Sequence, residues 1–169
     1  MRQLFVLILL MSEIAGCHPL AFGQDSDTLS QAAVCTFTDD KQMTIRYTAT
    51  NFDKKNPPQF GKIWTPGGTP MALFTEAALV VNSKEIPTGA YNVFLIPDKN
   101  NWTLIVSKNV TAGAAYDEQQ DLVRARMEVE KLPELQKTLS IYFGHVAPKK
   151  CAIRLDFGMV RASMDFDEK

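Results

Sequence analysis

The 169-residue sequence has no tandem repeat, no low-complexity tract and no apolar run longer than the eight residues Leu4–Met11 (LFVLILLM). The first two absences exclude solenoids and compositionally biased chains. The third excludes a membrane-spanning helix, which needs about 20 apolar residues. Excess charge is missing too. Against 18 Lys and Arg stand 19 Asp and Glu, a net charge of −1, so nothing draws the chain to nucleic acid or to anionic lipid. Histidine is reduced to His18 and His145, and there is no Gly-x-Ser-x-Gly, which leaves a hydrolase triad without support. The three cysteines include no Cys-x-x-Cys pair, and no His, Cys or carboxylate spacing matches a metal site. Neither a metal nor another cofactor is expected.

What is present at the N-terminus is an address. Arg2 precedes the apolar run, as in an export signal whose core is far too short to span a bilayer. Two cleavage readings compete. Ala21-Phe22-Gly23 before Gln24 is a small-x-small site, and Pro19 would end the preceding helix. Ile14-Ala15-Gly16-Cys17 instead has the form of a bacterial lipobox, which would leave Cys17 as an acylated first residue. Residues 1–23 (or 1–16) are thus expected to be a leader, 24–33 a linker, and 34–169 a single domain. The expected location is periplasmic or extracellular, with membrane contact only through the acyl group. Once Cys17 is removed or acylated, Cys35 and Cys151 remain. Parity and an oxidising compartment favour a disulfide over two buried thiols. No His neighbours either one in sequence, so a metal or redox role is not expected.

Beyond the leader the chain reads as strands. Met43, Ile45, Tyr47 and Ala49 alternate with Thr44, Arg46 and Thr48, and a turn at Asp39-Asp40-Lys41 joins them to Val34–Phe37. Further strands are expected at 72–75, 78–81, 91–96 and 102–107. In 121–132, Val123, Ala125, Met127 and Val129 alternate with charged residues, which gives one face to a strand and none to a helix. Segments 139–143, 152–157 and 160–166 complete about nine or ten short strands, an all-β, antiparallel β-sandwich or jelly-roll-like barrel. Residues 51–70 stand apart. Pro57, Pro58, Gly61, Pro66, Gly67, Gly68 and Pro70 cannot continue a ladder, whereas Phe60, Ile63 and Trp64 argue for an ordered loop packed on the sheet.

From Phe60 onward, Gly61-Lys62-Ile63-Trp64, Ile86–Tyr91, Leu95-Ile96-Pro97, Trp102–Ile105 with Lys108, and Tyr116-Asp117-Glu118 with Asp121 occur in an order and spacing that resembles the bacterial domain-of-unknown-function family 2911. The resemblance covers about two-thirds of the mature chain and implies an exported β-rich domain with no established activity. One departure is visible. Where many members follow the Trp with an Arg and then an Ala-Asn-Glu run, this chain has Thr65 and Gly68-Thr69-Pro70. A family function that relied on that Arg or Glu is therefore in doubt here.

Ligand-binding candidates fall in two groups. Trp64 and Thr65 lie where a rigid loop presents an aromatic face to a sugar or other ring, against the plainer alternative of a Trp plugging one end of the sandwich. Tyr116, Asp117, Asp121 and Arg124 form a polar group around an acidic turn that lacks a calcium-loop pattern. His145 at a strand end reads as a surface or hydrogen-bonded residue. No set of residues assembles an acid, a base and an oxyanion site, so no catalytic residue is assigned. The expected function is non-enzymatic binding of a small ligand or glycan through the 56–70 loop. The alternatives are docking to an envelope protein and, behind that, an unrecognised enzyme.

Overall fold

The computed structural model describes residues 30–169, and every regular element in it is a strand apart from the 3-10 turns Pro66–Gly68 and Glu118–Gln120. The leader readings and Cys17 lie outside the described residues. The strands are β1 (Ser30–Thr36), β2 (Gln42–Thr48), β3 (Met71–Thr75), β4 (Leu79–Val81), β5 (Lys84–Ile86), β6 (Gly89–Ile96), β7 (Asn101–Ser107), β8 (Asp121–Ala147) and β9 (Lys150–Glu168). β1 begins inside the stretch read as linker. All pairings are antiparallel, in one sheet of order β1-β2-β3-β6-β7-β8-β9-β4-β5. The all-β antiparallel expectation holds. The sheet is not closed into a barrel.

Local chemistry explains the turns. Phe37 N–H donates to the Lys41 carbonyl at 2.8 Å across the first hairpin, with Asp40 at φ 67°. β4 and β5 pair Val81 with Lys84 around Asn82 and Ser83, both at positive φ, the backbone of a tight two-residue hairpin. β5 was not expected, because three residues are too few to show periodicity. The alternation predicted for 121–132 is realised: Val123, Ala125 and Met127 are buried, while Arg124, Arg126 and Glu128 are exposed.

The expected short strands at 121–132 and 139–143 are one strand, and those at 152–157 and 160–166 are another. β8 and β9 stay paired through register shifts between Lys131 and Gln136, Gln136 and Ser140, and His145 and Ala147. Pro133 lies within the first shift, where a missing N–H costs no ladder bond. These bulges bend the long strands, so the sheet folds over on itself in two layers. β1 is then joined to β9 by the Cys35–Cys151 disulfide, the expected pairing. Ile141 N–H donates to Tyr47 Oη at 3.1 Å, and the Phe52 and Leu139 N–H groups donate to the Lys137 and Thr50 carbonyls. Between the layers lie Met43, Ile45, Leu73, Leu95, Leu104, Met127, Ile153 and Phe166, all excluded from solvent.

Candidate functional site

The chain between β2 and β3 is irregular yet tied down at both ends. Its first residues bond to the bend of β8, as above. Further on, Gly61 N–H donates to the Pro97 carbonyl at 2.9 Å, and Trp64 exchanges two backbone hydrogen bonds with Leu95 of β6. Asp53 closes the turn between them by accepting from Lys55 N–H and from Asn56 Nδ2, each at 2.8 Å. The Asn56 side chain first, and the Lys55 N–H second, hold that carboxyl below its ordinary value. Gly67 sits at φ 69° with Thr48 so close that a Cβ would lie 2.4 Å from its Cγ2, so only glycine fits.

Of the hollows that flank the loop, two adjoin Phe157. One, about 310 Å³, is mixed, with Asn51, Asp53, Asn56, Gln59 and Lys62 beside Ile63 and Trp64. The other, about 370 Å³, is apolar and is lined by Phe52, Phe60, Pro97, Trp102, Met159 and Val160. Pro57, Pro58 and Phe157 belong to both and form a common wall. Phe60 is 64% exposed at the rim of the apolar hollow. Thr65, a sequence candidate, lines neither.

Trp64 is half-buried: it packs edge-on against Trp102 at 5.7 Å between ring centroids and leans on Phe157 at 5.0 Å, and it also lines the mixed hollow. Its removal therefore cannot be silent for stability. Trp64→Ala should destabilise the domain by about 2–3 kcal/mol, less than the ~3–5 kcal/mol of a fully buried Trp. Urea unfolding should show a lower midpoint, and Trp64→Phe should recover most of it.

The second group of candidates is assembled elsewhere. Tyr116 Oη donates to Asp121 Oδ2 at 2.6 Å and accepts from Arg124 Nη2 at 3.1 Å, while Arg124 Nη1 reaches Glu118 at 2.7 Å. Burial first, and the Asp121 carboxylate second, push the Tyr116 phenol up to about 12, so it remains a donor. Asp117 accepts from Gln119 N–H as the cap of the second 3-10 turn. Tyr116 packs edge-on to Phe94, whereas the Trp64 backbone pairs with Leu95. Successive strand residues point to opposite faces, so this cluster covers the outer face of β6 while Leu95 faces the interlayer core. The Tyr116 group is thus a self-paired clasp over Phe94, apart from the cleft.

The cysteines carry a correction. His145 is not remote from them: its Nε2 lies 3.6 Å from Cys35 Sγ, and on the ladder it stands directly opposite Cys151. The Cys151 contact follows from the β8–β9 hairpin once its register is known, whereas a separation of 110 residues hid the Cys35 contact from sequence. Phe157 was missed for the same reason. Gln59 and Asn56 carried a signal in their proximity to Pro57-Pro58, and Lys62 in the Gly-Lys-Ile-Trp motif.

No curated protein and no solved structure matches this chain. A family model described as a protein of unknown function, DUF2911, matches residues 30–166, from the first residue of β1 to near the end of β9. The cleft, the clasp and the cysteine–histidine group all fall within that span, and the chain belongs to the DUF2911 family.

Proposed function

We propose that this chain is an exported binding domain whose cleft beside residues 50–64 takes a small amphipathic ligand: a sugar ring carrying an apolar substituent. The observation behind it is the pair of adjoining hollows, one of mixed polar and apolar lining and one apolar, that share Phe157 and the Pro57-Pro58 wall. Amide and carboxylate groups beside an aromatic face suit the hydroxyls and the C–H face of a sugar, while the apolar hollow suits a hydrocarbon. The loop anchors described above keep the cleft preformed, which lowers the ordering cost of binding. Export is supported by the disulfide, since such bonds persist in oxidising compartments, and by Arg2 with the apolar run Leu4–Met11. No helix among the described residues is long and apolar enough to cross a membrane.

The probe is octyl glucoside below its micellar concentration, compared with glucose and with 1-octanol by chemical-shift perturbation. Octyl glucoside should bind at least about tenfold more tightly than either half, because each buried methylene adds about 0.8 kcal/mol to whatever the sugar contributes. The side chains of Lys62 and Gln59 are exposed and make no hydrogen bond to another described residue. Lys62→Ala with Gln59→Ala should therefore weaken the glucoside about tenfold with the melting temperature unchanged and octanol binding intact. Equal affinity for the glucoside and for octanol would overturn the sugar half of the proposal. Shifts confined to residues far from Trp64 and Phe157 would overturn the site.

A further inference from the structure

We propose that Cys35, Cys151 and His145 form a redox-gated zinc site, closed to metal while the disulfide is intact and opened by reduction. It lies on β1, β8 and β9 and depends on no reading of the cleft. The ligand atoms of the three residues all fall within 4.8 Å of one another. Zinc bonds of about 2.3 Å to sulfur and 2.0–2.1 Å to nitrogen at a tetrahedral angle place S and N about 3.6 Å apart. Cys35 Sγ and His145 Nε2 are 3.6 Å apart already, while the two sulfurs, bonded to each other here, have to separate to about 3.8 Å on reduction to hold the ion.

The supporting frame is set by strand pairing. His145 and Cys151 are cross-strand partners on the β8–β9 ladder, and Cys35 lies on β1 with Met43 of the core opposite it on β2. Both cysteines are buried, at 3% and 0% exposure, while His145 is exposed. A metal ion therefore has a path from solvent past the imidazole, and a fourth position remains for water or an outside ligand. Two thiolates and one imidazole are a donor set zinc accepts.

The chemistry balances with a dithiol as reductant. Thiol–disulfide exchange breaks the Cys35–Cys151 bond and transfers two electrons and two protons to the pair, while the dithiol closes to its own disulfide. Zn²⁺ then displaces both thiol protons to solvent and takes the neutral imidazole as its third ligand. Oxidation reverses the sequence: the sulfurs rejoin and the ion is expelled. The site thus reports on the local thiol poise through its metal occupancy.

The test uses the full domain, reduced with a phosphine that is then removed under argon, and titrated with Zn²⁺ alone. Native mass spectrometry should show one zinc per reduced chain and none per oxidised chain. Zinc should raise the melting temperature of the reduced chain only, with the near-UV circular dichroism of the oxidised fold retained or restored. His145→Ala, a change at an exposed residue, should weaken zinc at least tenfold in the reduced chain. The Cys35→Ala/Cys151→Ala protein should bind none. A reduced chain that takes up no zinc would overturn the proposal. So would equal affinity in His145→Ala, or uptake by a chain that lacks the native near-UV signal.

Discussion

Cys35→Ala/Cys151→Ala should lower the stability of the domain by about 5 kcal/mol. The bond closes a segment with a sequence separation of 116, and the chain-entropy model gives about 5 kcal/mol for a loop of that length. In a domain of this size the loss corresponds to a fall in melting temperature on the order of 10–20 °C. The site of the bond points the same way. β1 is the terminal strand of the sheet order, its backbone paired among the described residues with β2 alone, and the disulfide is its covalent tie to the opposite layer. Cutting it should release the β1–β2 hairpin before the rest. Hydrogen exchange should accelerate most in the amides of residues 30–48 and least in β7 and the first half of β8, at the middle of the sheet. Calorimetry of oxidised protein against the double variant measures the first effect. A melting temperature unmoved by the substitutions would mean that the denatured chain gains no freedom on losing the bond, contrary to the entropic account.

That tie was the part of the tertiary structure most open to sequence reasoning, since it needed only parity and compartment. Strand identity was nearly as open wherever one face of a strand meets solvent. Val123, Ala125 and Met127 alternate with Arg124, Arg126 and Glu128 because one side is core and the other water. Where both faces are covered the signal fades. Phe94 is buried on the outside of β6 by Tyr116, so Val93, Phe94 and Leu95 form an apolar run with no period. The joining of 121–132 to 139–143 across Pro133 was hidden, because proline reads locally as an end, and its tolerance depends on a bulge facing β9. The site was legible only in part, and for one reason. Trp64 announces itself beside a proline- and glycine-rich loop. Its partners Trp102 and Phe157, and the His145 beside Cys35, are set by strand order and folding of the sheet, and no local pattern carries that information.

The bulge at Gly158 gives the second large effect, at Arg161. Residues five apart in a regular strand point to opposite faces, yet Arg161 grips Asp156 in a bidentate pair, Nε to Oδ1 and Nη2 to Oδ2, both at 2.7 Å. Gly158 makes this possible. Its φ of 62° breaks the alternation of β9 between the two residues, and its missing Cβ makes room for Phe52, whose ring carbon would lie 2.7 Å from one. Asp156 is only 12% exposed, and apart from Arg161 its side chain meets a donor only in Tyr142 Oη, at a long 3.5 Å, among the described residues. Arg161→Ala would leave that carboxylate buried and uncompensated, a loss of about 3–5 kcal/mol. Glu130 would lose only an exposed contact at 3.3 Å, which adds little. Replacing both partners, Asp156→Leu with Arg161→Met, should recover most of the loss, because the unpaired charge rather than the absent bond carries the penalty. The pair also brackets Phe157, the wall common to both hollows. The single variant should therefore weaken octyl glucoside binding together with stability, while the double variant restores stability first. Urea midpoints for the two proteins at equal m-value decide between these readings. If the double variant is as unstable as Arg161→Ala, the ion pair itself, and not the stranded carboxylate, holds the bulge.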